Sequence, residues 1–321
     1  MIILLIIAGC ICTFIILNTL YKKTNDYNNE NIFIKDFLKQ IPDNIKIVNT
    51  GSTYAKFAFG SYGDMGLNAF NFALRNQGLR YDYTILKQYS NKIDKGAIVL
   101  ITLSPEILLF DNSDNDLLYY KILQKKYINN YSFFRKLKSN FPIVTNPKKI
   151  KKIIKDVNQI DCVYDIYPEY MTADCQEKEM KHLITIWTDM FKLKDFKNPE
   201  ISSELMKVME INQKNIIRII ELCREHGWKP VIILPPFGEK LNKYFTRESL
   251  YKTIGKTLEE IREKEDVTVI NYQYMEYFQN KPFLYVDGAF LLNRTGSFRF
   301  INILINDLKE KIYMCNKTAG L

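Results

Sequence analysis

Hydrophobic and polar positions follow one another along the chain in blocks that predict a mixed α/β fold. Short apolar runs bounded by turn residues predict buried strands, and longer segments with apolar residues at helical spacing predict helices between them. The predicted strands cover 45–49, 68–72, 97–103, 229–234 and 267–271, and the clearest helices cover 202–225, 249–265 and 295–312. Because strands and helices alternate with few hairpin signals, the sequence predicts a parallel, doubly wound, five-stranded sheet.

A long segment separates the third and fourth predicted strands. It runs over 104–198 and includes a predicted helix at 177–194. A connection of this length is too long for a plain loop. We therefore expect a largely helical insertion in the sheet domain.

The amino-terminal residues predict a membrane anchor. Residues 2–17 are uncharged and almost entirely apolar, and Lys22 and Lys23 follow shortly afterwards. That length is just sufficient for a helix to cross a hydrocarbon core of about 30 Å. The expected organisation is an anchor at 1–21, a linker and first helix at 22–44, a main domain at 45–313 and a tail at 314–321. The two lysines by themselves would favour a cytoplasmic main domain under the positive-inside rule.

Charge is concentrated in one part of the insertion. The chain carries 45 basic and 36 acidic residues, and the segment from Lys121 to Lys155 is rich in lysine and contains no acid. Such a segment attracts polyanions or an anionic membrane surface, although a solvated surface without a specific partner remains an alternative. We expect no nucleic-acid partner, because no nucleic-acid motif accompanies the charge. The candidate substrate-binding residues are Lys148, Lys149, Lys151 and Lys152.

The cysteines do not form a metal-binding pattern, and no cofactor motif is present. Of the six cysteines, Cys162 and Cys175 are the pair with a spacing that suits a disulfide in an extracytoplasmic protein. Two free thiols are the alternative.

Candidate chemistry lies at the ends of two apolar stretches. Ser52 follows the first strand directly after Gly51, and Asp287 follows the apolar residues 283–286 shortly before the last helix. In open parallel sheets, reacting groups collect at the carboxyl ends of the strands. Ser52 and Asp287 are therefore expected at the same edge of the sheet, as a nucleophile and an acidic partner, with a turn serine and a helix-flanking aspartate as the alternative reading.

Several short motifs occur in the order in which one superfamily has them. They are Asn49-Thr50-Gly51-Ser52-Thr53, Gly66-Leu67-Asn68-Ala69, Leu79-Arg80-Tyr81-Asp82-Tyr83, the third strand, Leu234-Pro235-Pro236 and the segment from Asp287 to Gly296. This set resembles the SGNH (GDSL-like) hydrolase superfamily, over roughly 45–312. More closely, the layout looks like its membrane-anchored bacterial branch, which includes the D-alanylation protein of the Dlt system and the alginate-type acetylation proteins.

The resemblance implies a fold, a location and a chemistry. It implies a flavodoxin-like three-layer sandwich, an extracytoplasmic domain, and ester chemistry on a cell-envelope glycan or teichoic acid. A membrane-bound O-acyltransferase is the implied protein partner. Ser52 would be the nucleophile, Gly66 the second oxyanion donor and Asp287 the orienting acid.

Two departures from the family pattern bear on activity. Where the family often supplies an oxyanion asparagine after the third strand, this chain has Thr102-Leu103-Ser104-Pro105-Glu106. Where the family has Asp-x-x-His, the third residue after Asp287 is Phe290, and counting back from Leu292-Asn293 gives Leu291. Neither side chain accepts a proton, and a serine without a positioned base is a poor nucleophile.

The two histidines of the chain lie elsewhere. His226 is predicted to cap a helix at the opposite, amino-terminal edge of the sheet. His182 is predicted on a helix of the insertion, as a surface residue or as a replacement base. The sequence therefore leaves two functions open. One is an envelope acylesterase or acyltransferase, and the other is a catalytically degenerate protein that binds an anionic glycan or scaffolds a membrane acylation complex.

Overall fold

The structure, a computed structural model, describes residues 1–39, 41–111, 117–156 and 173–318. The chain forms two compact units. The anchor unit comprises Met1–Ile41 and Ser113–Ile166, and the sheet unit comprises Pro42–Asn112 and Tyr167–Leu321. Within the predicted insertion, the helices between residues 117 and 156 belong to the anchor unit, and the helix that follows residue 172 belongs to the sheet unit. The domain boundaries proposed from the sequence stay predictions.

The sheet unit is built on five parallel strands, as predicted. Their order is β2-β1-β3-β4-β5, and every neighbouring pair is parallel. The strands are β1 (Ile45–Asn49), β2 (Ala69–Asn71), β3 (Ile93–Thr102), β4 (Lys229–Leu234) and β5 (Thr268–Asn271).

One strand begins earlier than its hydrophobic run. The register between β1 and β3 pairs Ile45 with Ile93 but Ile47 with Ile98, so β3 carries extra residues there. Asp94 and Lys95 lie in this irregular part, which is only partly buried. The sequence placed the start near residue 97, because a polar segment at a register shift has no apolar run to signal it.

Helices cover the sheet. They are α4 (Thr53–Ala58), α5 (Leu79–Gln88), α10 (Ala173–Phe191), α11 (Ser203–Glu225), α12 (Glu239–Asn242), α13 (Arg247–Leu250), α14 (Lys256–Glu265), α15 (Glu276–Gln279) and α16 (Arg294–Thr318). The Ser202 hydroxyl accepts the Leu205 N–H and so caps α11. A π-helical turn, Tyr251–Gly255, joins α13 to α14.

Two clusters of apolar side chains in the core of the sheet unit bear on the position of the site. In one, Phe300 and Leu304 of α16 pack with Leu100 of β3 and Ile233 of β4. The other is centred on Phe290 and includes side chains of α4, α10 and α12. The second cluster lies where the loops leave the strands and forms the surroundings of the candidate site.

The anchor unit is helical in its described residues. Its helices are α1 (Ile2–Tyr21), α2 (Asn25–Glu30), α3 (Lys35–Leu38), α6 (Tyr119–Ile122), α7 (Phe133–Asn140), α8 (Pro142–Thr145) and α9 (Ile150–Asp156). α1 is long and apolar enough to cross a membrane. The length and the composition of α1 therefore agree with the predicted anchor.

Candidate functional site

Ser52 lies where β1 ends and α4 begins. Gly51, just before it, has φ +124°, a conformation that residues with a Cβ rarely adopt. A Cβ on Gly51 would lie 2.7 Å from the Cβ of Ala55 and 3.0 Å from the carbonyl oxygen of Thr102. Glycine is therefore required here for the turn that presents Ser52 at the carboxyl edge of the sheet.

A buried aspartate, Asp82, holds this turn in place by a hydrogen bond. The Gly51 N–H donates a hydrogen bond of 3.2 Å to Asp82 Oδ1, and Gln77 Nε2 donates one of 2.6 Å to the same oxygen. Burial raises the pKa of Asp82 to about 7, although these hydrogen bonds oppose the rise. Asp82 belongs to the Leu79–Tyr83 motif noted in the sequence, so the motif positions the serine turn rather than contacting a ligand.

Ser52 opens into a cavity of about 530 Å³. Asp287 lines the same cavity, so the structure brings together the two residues that the sequence placed at one edge of the sheet. Most of the remaining wall is apolar, and α10 supplies much of it. The apolar lining residues are Ile107, Phe110, Met180, Leu183, Ile186, Trp187, Met190, Phe191, Val286, Phe290 and Leu291.

Glu106 is the residue of this cavity that sequence reasoning missed. It lines the cavity and is only 7% exposed. Its Oε1 accepts a 2.6 Å hydrogen bond from the Ser104 hydroxyl, while its buried Oε2 has no partner within the described residues. Burial raises the pKa of Glu106 to about 7, against the opposing effect of the Ser104 hydrogen bond.

Glu106 also lies close to the helix that follows Ser52. Burial and then the charge of Glu106 raise the pKa of Tyr54 well above its ordinary value. The Tyr54 hydroxyl donates a 2.6 Å hydrogen bond to the Thr102 carbonyl oxygen at the end of β3. An acid just after a buried strand was the signal for Glu106 in the sequence, and it went unused because the family pattern places an asparagine in this region.

Asp287 is engaged with its own loop. Its Oδ1 accepts N–H groups from Ala289 at 3.2 Å, Phe290 at 2.9 Å and Leu291 at 3.0 Å. Burial raises the pKa of Asp287, and these backbone hydrogen bonds lower it again. The carboxylate therefore shapes the loop, and an aromatic ring lies three residues after it.

Phe290 is that ring, and it is tightly packed. Its centroid lies 5.8 Å from that of Tyr54, 5.4 Å from that of Trp187 and 5.4 Å from that of Phe237. Neither of the two histidines lines the cavity. His182 is exposed on α10 and does not line the cavity. His226 follows α11, as predicted, where its ring stacks on Trp228 just before β4.

Gly66 lies away from this site. It adopts φ +61° at the end of a short turn before β2, so it belongs to the amino-terminal side of that strand. Its N–H donates to the Gly63 carbonyl oxygen, and it does not line the cavity. The structure thus does not bring Gly66 to Ser52, and Arg75 and Asn76, which follow β2, line the cavity instead. Gly66 was suggested because it is next to β2 in the sequence. It precedes β2, however, and only the carboxyl end of that strand approaches Ser52.

The four candidate lysines belong to the anchor unit and fall into two pairs. Lys149 forms an ion pair with Glu30 at 2.6 Å, and Lys152 forms one with Asp26 at 3.0 Å. Lys148 and Lys151 are exposed and have no ion pair within the described residues. Two of the four are therefore ion-paired within the unit, although Lys152 is also exposed, and the other two face solvent. Cys162, one half of the suggested disulfide, lies outside the described residues.

Compared with known proteins, the chain matches no family model and no curated sequence.

Proposed function

We propose that this protein is a membrane-anchored, SGNH-like serine acylesterase or acyltransferase that modifies a cell-envelope glycan or teichoic acid. One observation carries the proposal: Ser52 lies on a glycine-dependent turn at the carboxyl edge of a parallel sheet and opens into a largely apolar cavity that also contains a buried acid, Glu106. The strand order β2-β1-β3-β4-β5 supports a flavodoxin-like sandwich. α1 supports the anchoring, and the family resemblance favours an extracytoplasmic sheet unit.

In this proposal Glu106 acts as the general base, which is the role of histidine in the family. The Ser52 hydroxyl attacks the ester carbonyl carbon, and its proton passes to Glu106 Oε2. The carbon–oxygen bond to the alcohol then breaks, and Glu106 returns the proton to the departing oxygen. Water or a glycan hydroxyl attacks the acyl-serine by the same proton route, which regenerates Ser52 and releases the acid or the new ester.

The cavity wall suits the acyl part of such a substrate. Side chains of α10, including Met180, Leu183 and Trp187, present apolar surface next to Ser52. Apolar walls with a few convergent polar groups are typical of small-molecule sites. Arg75, which is exposed and lines the same cavity, supplies positive charge for an anionic acceptor or acyl donor. A membrane-bound O-acyltransferase remains the proposed source of acyl groups.

Covalent labelling tests the proposal. The full-length chain in detergent should react with a fluorophosphonate probe and cleave an aryl ester, and Ser52→Ala should abolish both reactions. Glu106→Gln should slow labelling by about 100- to 10,000-fold, the usual contribution of a general base. Glu221→Gln is the matched control, because Glu221 is exposed on α11, away from the cavity.

The pH dependence adds a second readout. A base works in its ionised form, so labelling of the unsubstituted chain should rise as the pH passes through about 7, the pKa of Glu106. Glu106→Gln should lose this rise. A folded protein that is not labelled at any pH would refute the enzymatic function, whereas labelling that is unchanged in Glu106→Gln would refute only the role of Glu106.

A second function is favoured by the aromatic ring at the histidine position. Phe290 is locked among three other aromatic rings, which is consistent with a cavity that binds without reacting. In that case the protein would bind an anionic glycan or scaffold an acylation complex. Folded protein that binds an acylated glycan but resists the probe would support this second function.

A further inference from the structure

The two ends of α1 have different surroundings within the anchor unit. Residues 1–13 are exposed, whereas Asn18 and Tyr21 are buried. The ring centroid of Phe14 lies 5.8 Å from that of Phe141, and Asn18 Nδ2 donates a 3.2 Å hydrogen bond to the Asn140 carbonyl oxygen. The end of α7 and the start of α8 therefore pack against the last two turns of α1.

The part of α1 that is exposed on every side is too short to cross a bilayer, because in residues 14–21 only the face that carries Ile15, Ile16 and Leu20 stays exposed. At about 1.5 Å per residue, residues 2–13 cover about 18 Å, whereas the hydrocarbon core is about 30 Å thick. The missing depth of about 12 Å matches the eight residues 14–21, and this is the stretch against which α7 and α8 pack. If α1 spans the bilayer, these short helices lie at the depth of the membrane interface.

A polar cluster marks the end of α1 where the chain meets water. The Tyr21 hydroxyl donates hydrogen bonds to Asp26 at 2.9 Å and to Glu30 at 3.1 Å. The same two carboxylates form the ion pairs with Lys152 and Lys149. Charged groups of this kind avoid the hydrocarbon core. Asn140 and Phe141 contact Asn18 and Phe14 of α1. These two residues precede Tyr21 by one and two turns, so they lie deeper in the bilayer than the polar cluster if α1 spans it.

The outer face of α7 has the composition of a helix that lies in a membrane interface. Phe133 is 67% exposed, Phe134 is 73% exposed and Leu137 is 37% exposed. Helical geometry places these three residues within an arc of about 100°. Lys138, which is also exposed, borders this arc. Aromatic and leucine side chains next to lysine are typical of amphipathic helices that bind anionic lipid surfaces.

We propose that α7 is an interfacial helix, which inserts Phe133, Phe134 and Leu137 between the headgroups of an anionic bilayer. The neighbouring lysines contact lipid phosphates at the surface. This arrangement fixes the anchor unit against the membrane, so that α1 is not a free tether. The inference rests on the span of α1 and is independent of any chemistry at Ser52.

Quenching by brominated lipids tests the insertion. The full-length Phe134→Trp variant is reconstituted into nanodiscs of phosphatidylcholine and phosphatidylglycerol that carry bromine at shallow or deep acyl positions. Ile6→Trp, in the exposed part of α1, reports whether α1 is inserted. The unsubstituted chain gives the background of the two native tryptophans, which are both buried.

The expected result is strong quenching of the added tryptophan of Phe134→Trp by shallow bromines, weaker quenching by deep bromines and a blue-shifted emission. Ile6→Trp, which lies about 6 Å along α1 from its start, should be quenched by both sets of bromines. Quenching of Ile6→Trp without any quenching of Phe134→Trp would overturn the proposal, because α1 would then span without α7. Absence of quenching in both variants would overturn it as well, since the anchor unit would lie outside the bilayer.

Discussion

The buried carboxyl of Glu106 leads to a prediction about stability that does not depend on catalysis. Its pKa rises from 4.5 to about 7 in the folded chain, so folding favours the protonated form. Below pH 4.5 the group is protonated in both states and has no ionisation cost. Between pH 4.5 and about 7 the unfolded chain ionises while the folded chain keeps its proton, so this part of the stability falls and is fully lost once the pH has passed through the folded pKa.

The magnitude follows from the two pKa values. Each tenfold change in proton affinity is worth about 1.4 kcal/mol, so the full loss is on the order of 3 kcal/mol. Glu106→Gln keeps an oxygen that can accept the Ser104 hydrogen bond but cannot ionise. The free energy of unfolding of the unsubstituted chain, minus that of Glu106→Gln, should therefore fall by about 3 kcal/mol between pH 4.5 and 8.5.

Tryptophan fluorescence during urea unfolding in detergent measures this difference. Both tryptophans, Trp187 and Trp228, lie in the sheet unit, so the signal reports that unit. Asp82 also has a raised pKa, but it is present in both proteins and cancels in the difference. The other charged groups that line the cavity, Arg75, Glu179 and Asp287, cancel in the same way.

Glu221→Gln is again the matched control and should show a difference from the unsubstituted chain that stays flat with pH. If the curve for Glu106→Gln were equally flat, or if the unsubstituted chain gained stability with rising pH relative to it, the reasoning would be refuted. Glu106 would then not be a buried acid that resists ionisation, and the proposed base at Ser52 would lose its physical support.

Three further outcomes are expected. Gly51→Ala should destabilise the sheet unit by about 1–3 kcal/mol and abolish labelling of Ser52, because the new Cβ meets Ala55 and the backbone of Thr102; normal labelling would contradict the turn geometry. Phe290→Ala should cost about 3–5 kcal/mol in urea unfolding, since the ring contacts three aromatic neighbours, and a loss below 1 kcal/mol would count against that packing. Replacing Lys148 and Lys151 together by Gln should weaken binding to anionic vesicles or glycan by about 2 kcal/mol at low salt, measured by co-sedimentation, with unchanged binding as the contrary result.

Much of the fold was predictable because its signals are local. Short apolar runs marked β1 and β4 to the residue, and in β4 the run is continuous because a strand buried on both faces needs no polar alternation. The Ser202 cap and Gly227 bounded α11 in the sequence as they do in the structure. The early start of β3 was missed, because its first residues are polar and pair only through a register shift.

The candidate site was predictable only in part. Ser52 and Asp287 line one cavity, although Asp287 follows a short 3₁₀ helix at Pro282–Leu284 and not a strand of the sheet; their chemical roles stay predictions. Gly66 was assigned to the site by family order, and the structure locates it before β2 instead. Glu106 was passed over, because the family pattern directed attention to an asparagine in this region and the burial of the Glu106 carboxyl is visible only in the structure.

The sequence by itself determined the parallel α/β fold, the apolar amino-terminal helix, the serine turn and the lack of a histidine after Asp287. These features depend on residue type and on spacing along the chain. Only the tertiary structure decided that Phe290 packs among three aromatic rings, that Glu106 shares the cavity with Ser52, and that Lys149 and Lys152 are held in ion pairs with Glu30 and Asp26. Burial and the pairing of distant groups set these outcomes, and both depend on which segments meet in three dimensions.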